Sequence, residues 1–282
     1  MKLASAAVLC VAVLCSAAMS SAALSSAALP SAAPPSAPRP SPPPQQAENV
    51  LLFTLDGLRW QEVFAGADEA LVTEVAGGVE DLEATREEFW RPTPEERRRA
   101  VMPFLWDVIV PSGQIFGNVW RGSEMSVTNG RNFSYPCYHE MLGGYPDERI
   151  DSNDKLLNPN PNVLEWIAAQ PGFEGRVAAF TAWDVFPYIL DEPRAGKTTL
   201  IFAVDHGRGD PPDEWRSHGA DYSGSEKIWL AAMGPGTEAL GERTEVAELT
   251  ESQVAATIAA LLGLDYGTAV PQAAPPIEGL LR

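Results

Sequence analysis

Thr198-Thr199-Leu200-Ile201-Phe202-Ala203-Val204 runs directly into Asp205-His206-Gly207-Arg208-Gly209. The first seven residues are mostly apolar and rich in β-branched types, the composition of a strand buried on both faces. The run stops at a carboxylate and an imidazole, followed by a glycine-flanked turn. An acid and a histidine at the C-terminal end of a buried parallel strand lie where open α/β sheets hold their ligands. Two other stretches share the pattern. Leu51-Leu52-Phe53-Thr54-Leu55-Asp56-Gly57 is an apolar strand ending in Asp-Gly, and Ser217-His218-Gly219 brings another histidine soon after the first. Oxygen and nitrogen donors of this kind suit Zn2+ or a similar divalent ion.

The bulk composition narrows the class. The chain has 282 residues, with 38 Asp+Glu against 20 Lys+Arg and a formal net charge of −18. Nucleic acid is excluded as the main partner, because phosphate backbones need clustered cations. Met1-Lys2, the apolar run from Leu3 to Cys15 and the small residues Ser16-Ala17-Ala18 read as a secretory signal peptide over residues 1–24. The expected location is therefore secreted or periplasmic. The apolar run is too short for a stable membrane span. Lipid attachment at Cys15 is disfavoured against ordinary secretion, because Leu14 stands where a small residue is needed. Residues 25–47 are almost all Ala, Ser and Pro, an extended or disordered tether. Residues 48–282 are long enough for one α/β domain with a sizeable core. With the leader removed, Cys137 is the sole cysteine and no intramolecular disulfide is possible.

Within the domain, strands are expected at 50–55, 114–120, 176–180, 198–204 and 228–232. Helices are expected from Pro94 to Val110, from Ser134 to about Leu142, from Asn162 to about Ala169, from Asp184 to Leu190, and from Thr250 to Leu262. Val101, Phe104, Leu105, Val108 and Ile109 form the apolar stripe of the first of these. Asn162 to Glu165 and Thr250 to Gln253 have capping-box spacing. Alternating strands and helices predict an α/β fold, a mostly parallel central sheet with helices on both faces.

Asp56, Asp205 and His206 fall at strand ends and Ser134 at a helix start. If these ends converge, a metal receives two carboxylates, an imidazole and a hydroxyl. A metal beside the serine lowers its pKa and makes it a nucleophile. The helix N-terminus behind Ser134 adds exposed N–H groups for a phosphate or sulfate. The reaction implied is ester hydrolysis through a covalent serine intermediate. Cys137 has no accompanying catalytic constellation and reads as a packed residue. His139 reads as structural or surface.

Phe53 to Arg59, Asn132-Phe133-Ser134-Tyr135-Pro136, Asp205-His206-Gly207 and His218-Gly219 together resemble the alkaline phosphatase superfamily, in its type I phosphodiesterase/nucleotide pyrophosphatase and sulfatase-like branches. The resemblance spans about residues 49 to 263. It implies that Asp56, Ser134, Asp205 and His206 bind one metal, with Ser134 as nucleophile. It further implies that Asn153 contacts the substrate phosphate and that His218 is the last ligand of a second metal. Zn2+ is the expected ion. Tyr138 stands where sulfatases require Arg after a modified residue, so phosphate mono- or diesters are favoured over sulfates. The other second-metal ligands, an Asp and a His a few residues apart, have no counterpart between Asp184 and Asp205. The chain thus resembles a truncated member, with a block missing near 191–197. Asp184, Asp191, Asp210 and Asp213 are the acids available as substitute ligands. The alternative expectation is an impaired remnant that binds a metal or ligand without turnover.

Overall fold

The structure, a computed structural model, describes residues 8–14, 47–173, 176–181, 183–190, 200–234 and 237–281. Nine strands are present among them: β1 Val8–Leu14, β2 Asn49–Leu55, β3 Gly113–Phe116, β4 Met125–Ser126, β5 Val177–Phe180, β6 Leu200–Val204, β7 Leu230–Met233, β8 Gly241–Glu242 and β9 Leu249–Thr250. The helices are α1 Trp60–Ala65, α2 Leu82–Phe89, α3 Pro94–Val101, α4 Val110–Ser112, α5 Ser134–Gly143, α6 Val163–Ala168, α7 Phe186–Ile189 and α8 Gln253–Leu261.

The two apolar runs that end in acids are neighbours. β2 and β6 pair in parallel, with Leu55 opposite Val204. The seven-stranded sheet has the order β5-β1-β2-β6-β7-β3-β8, and β4 pairs with β9 in a separate ribbon. β2, β3, β5, β6 and β8 run one way, while β1 and β7 run against them. The sheet is therefore mixed, with five strands aligned. The helices associate in two groups, one built on α1, α3 and the turns after α3, the other on α5, α6 and α8. The fold is α/β, as expected.

Local sequence explains most boundaries. Asn162 accepts hydrogen bonds from the Leu164 and Glu165 N–H groups, and the Glu165 side chain returns to the Asn162 N–H, completing the expected box. α8 is apolar nearly all round, and Val254 through Leu261 are buried, as a helix without a polar face must be. Val254, Ile258 and Leu261 each contribute roughly 1.5–3 kcal/mol on burial. At the start of α8 the Gln253 side chain accepts from the Thr250 N–H, but the helix begins at Gln253 itself.

The expected helix from Pro94 to Val110 is interrupted. α3 ends at Val101, and a π-type turn covers Leu105–Ile109. Pro103 is the reason: its ring clashes with the preceding turn and it has no N–H to donate. The apolar stripe breaks with it, leaving Leu105 and Ile109 buried but Phe104 and Val108 exposed. The strand expected over 114–120 stops at Phe116, and a 3-10 turn follows at Val119–Arg121.

Val8–Leu14, within the segment that reads as a leader, lies between β2 and β5 and is antiparallel to both. Ala47, at the end of the expected tether, is buried, and its N–H donates to the Leu261 carbonyl at 2.8 Å. Residues 191–199, where the missing block is expected, lie outside the described residues. A chain that starts at Ser25 leaves β2 and β5 without their shared partner. Thermal unfolding is expected to show it melting about 2–8 °C below the full chain, a lost ladder of seven residues being worth about one to two kcal/mol.

Candidate metal centre

The register of β2 and β6 brings the two acids together. Each strand continues one residue further, into Asp56 and Asp205, at the same end of the sheet. Gly57 follows with φ +55°, a left-handed turn that glycine adopts without strain. Its N–H donates to Asp205 Oδ1 at 2.9 Å. Asp205 and His206 are fully buried.

His206 Nδ1 lies 2.8 Å from the Gly207 carbonyl. Only a protonated Nδ1 makes that bond, so Nε2 of the neutral ring carries the lone pair. Nε2 lies 3.5 Å from Asp205 Oδ2 and 3.9 Å from Asp56 Oδ1. Among the described residues, neither His206 Nε2 nor Asp205 Oδ2 has a hydrogen-bond partner, although both are buried. Ligand atoms of Asp56, Asp205 and His206 all lie within 4.8 Å of one another.

The donor set fits a cation. Burial, then the charge of Asp56, pushes the Asp205 carboxyl well above the usual carboxylate range. Burial lowers the His206 imidazole. Both shifts strip charge from a dry site, and a divalent ion reverses the first of them. Two carboxylate oxygens and an imidazole nitrogen suit several divalent metals.

Ser134 opens α5, and its hydroxyl donates to Asp56 Oδ2 at 3.3 Å. The preceding loop is held from within. Asn129 Oδ1 accepts from the Arg131 and Asn132 N–H groups, and Asn132 has φ +54°, a region that Asn tolerates better than most residues. Glu140, two turns into α5 and fully buried, accepts from the Thr128 and Asn129 N–H groups, from both of their side chains and from the Ser252 hydroxyl. Such a fully satisfied carboxylate fixes where α5 begins, and hence where Ser134 stands. Cys137 is buried, and burial pushes its thiol well up, which agrees with a packed, inert residue.

The expected row of exposed N–H groups at the helix start is absent. The Tyr135 N–H donates to Asn153 Oδ1 at 2.9 Å, Pro136 has none, and the Cys137 N–H bonds to the Phe133 carbonyl. Only the Ser134 N–H is left for an anion in that turn. Asn153 is exposed and caps α5 beside the serine. His218 stacks on His206, with ring centroids 4.2 Å apart and an interplanar angle of 15°, and stands outside the three-residue cluster. Burial, then the charges of His206 and Arg208, lowers it to about 4. Asp184 pairs with Lys155, and Asp210 is exposed and accepts from Gln61. Neither they nor the exposed Asp213 join the cluster, and Asp191 lies outside the described residues.

Sequence reasoning missed Arg208, although it sits inside the decisive stretch. Its Nε donates to the Gly57 carbonyl at 2.8 Å, Nη1 to the Arg216 carbonyl at 2.8 Å and Nη2 to Asp56 Oδ1 at 3.3 Å. A Cβ on Gly57 would lie 2.6 Å from Arg208 Nε. A short glycine turn facing an arginine was the available signal. Comparison of the chain with protein-family models, curated proteins and solved structures gave no match.

The loop that carries Asn153 hangs on His139. This residue is buried, not at the surface, with Nδ1 3.2 Å from Asn158 Nδ2 and Nε2 3.5 Å from Asn160 Nδ2. Tyr135 anchors the same loop through the Leu156 carbonyl. Burial lowers the His139 pKa to about 4, against about 6.5 in the unfolded chain. Stability from this residue is complete above pH 6.5 and is lost as the pH falls toward 4. Chemical denaturation is expected to show a loss of about 3 kcal/mol over that window that His139→Asn lacks. Gly57→Ala is expected to cost at least about 1 kcal/mol more than Gly130→Ala in urea unfolding. Gly130 has a comparable φ of +66° but nothing within 4 Å of an added Cβ, so the difference reads the clash with Arg208.

Proposed function

We propose that the chain is an exported, metal-dependent hydrolase of phosphate mono- or diesters, a truncated relative of the alkaline phosphatase superfamily, with Ser134 as nucleophile. The observation that carries this reading is the Ser134 hydroxyl on Asp56, beside the orphaned Asp205 Oδ2 and His206 Nε2. A divalent ion, Zn2+ as the first choice, held by Asp56, Asp205 and His206 supplies Lewis acidity next to the serine. Asp56 orients the hydroxyl and draws on its proton. The serine oxygen then forms a bond to phosphorus as the ester P–O bond breaks and the alcohol leaves. Water hydrolyses the phosphoserine. Asn153 holds α5 at the attacking residue. No described helix is long and apolar enough to cross a membrane.

A second reading, a metal- or ligand-binding remnant without turnover, is favoured by one observation. Asp56, Asp205 and His206 form the one three-ligand cluster among the described residues, and His218 stands apart from it. The two readings separate by assay. Hydrolysis of an aryl phosphate mono- or diester with added Zn2+ is expected to fall by at least about 10³-fold in Ser134→Ala and in Asp205→Asn. Hydrolysis that survives Ser134→Ala removes the nucleophile assignment. Metal binding without any hydrolysis by the wild-type chain selects the remnant.

A further inference from the structure

We propose that Arg208 is an exchangeable counter-charge: it holds Asp56 until a divalent ion takes that carboxylate, and it then receives the anionic oxygen of the substrate. The inference rests on the metal-site reading above and assigns a positioning and binding role to a residue outside the ligand set.

The argument starts from shared atoms. Arg208 Nη2 is 3.3 Å from Asp56 Oδ1, and the same oxygen faces His206 Nε2 at 3.9 Å. An ion between Asp56, Asp205 and His206 needs that oxygen. Guanidinium and ion therefore compete for one carboxylate. The other anchors of Arg208 do not involve the cluster, because they are the Gly57 and Arg216 carbonyls. Losing Asp56 thus frees Nη2 without releasing the arm. The arm lies flush against the backbone only because Gly57 has no Cβ.

The freed donor has a use at that position. Ser134 bonds the opposite oxygen of the same carboxylate. A guanidinium has five N–H donors, and three contacts are made. The first turn of α5 offers an anion little, since the Tyr135 N–H is taken by Asn153 and Pro136 has none. Arg208 therefore supplies the positive charge that the helix start does not. An arginine is suited to phosphate oxygens by its planar fork.

Titration calorimetry tests both halves, with Zn2+ alone and then with inorganic phosphate on the Zn2+-loaded protein. Arg208→Gln is expected to bind Zn2+ about tenfold tighter or more, because a nearby positive charge is removed. Arg208→Lys keeps the charge and is expected within about threefold of wild type. Phosphate is expected to bind Arg208→Gln at least about tenfold more weakly. A merely structural arginine would weaken both ligands together. Equal or weaker Zn2+ binding by Arg208→Gln, or unchanged phosphate binding, overturns the inference. If wild type and Asp205→Asn bind Zn2+ equally poorly, the metal reading itself fails and takes the inference with it, a result distinct from the first. If Arg208→Gln does not fold, the guanidinium NMR signals of Arg208 in the wild-type chain decide. They are expected to shift on Zn2+ addition and again on phosphate, and signals that do not move overturn the proposal.

Discussion

The hydrogen bond from the Gly57 N–H to Asp205 Oδ1 joins the ends of two parallel strands where no solvent reaches. An unmade bond there would leave a buried carboxylate oxygen unmatched, at a cost of about 1–3 kcal/mol or more. The bond forms only if β2 and β6 keep their register, since a slip of one residue would turn every side chain to the opposite face. It also needs the left-handed turn at Gly57, which points Asp56 back toward Ser134. Strand pairing, turn and hydroxyl placement therefore stand or fall together.

Around this bond the local charge runs against the chain as a whole. The protein is strongly acidic, yet Asp56 is met by an arginine, and the buried Asp205 stands beside an imidazole of fixed tautomer. His206 is locked by the carbonyl of the next residue, so no ring rotation or tautomer change precedes use of Nε2. This is a pre-set donor, not one assembled on demand.

The legible part of the sequence was the part governed by local chemistry. β-branched runs closed by Asp placed β2 and β6, and the serine before Pro136 placed the start of α5. Three of the expected ligands, Asp56, Asp205 and His206, then met because parallel neighbours end at the same edge. The break at Pro103 in the helix expected from Pro94 to Val110 was missed, because the apolar stripe's periodicity continues through a residue that cannot donate. The rest depends on distant partners. Nothing near Glu140 announces that it ties down the loop before Ser134. Nothing near Asn153 shows that its side-chain oxygen accepts from the Tyr135 N–H. β1 reads as a leader by composition, and its place in the sheet is set by strands far along the chain.

The separation along the chain has a consequence for assembly. Asp56 and Ser134 are 78 residues apart, and Gly57 and Asp205 are 148 apart. Contacts this remote form only after the entropy of closing long loops has been met. A partly folded or nascent chain therefore holds scattered carboxylates and imidazoles but no centre. An ion that binds only the finished arrangement stabilises it by mass action. Metal occupancy in this chain would thus work as a checkpoint on completed topology, distinguishing finished molecules from every intermediate on the way.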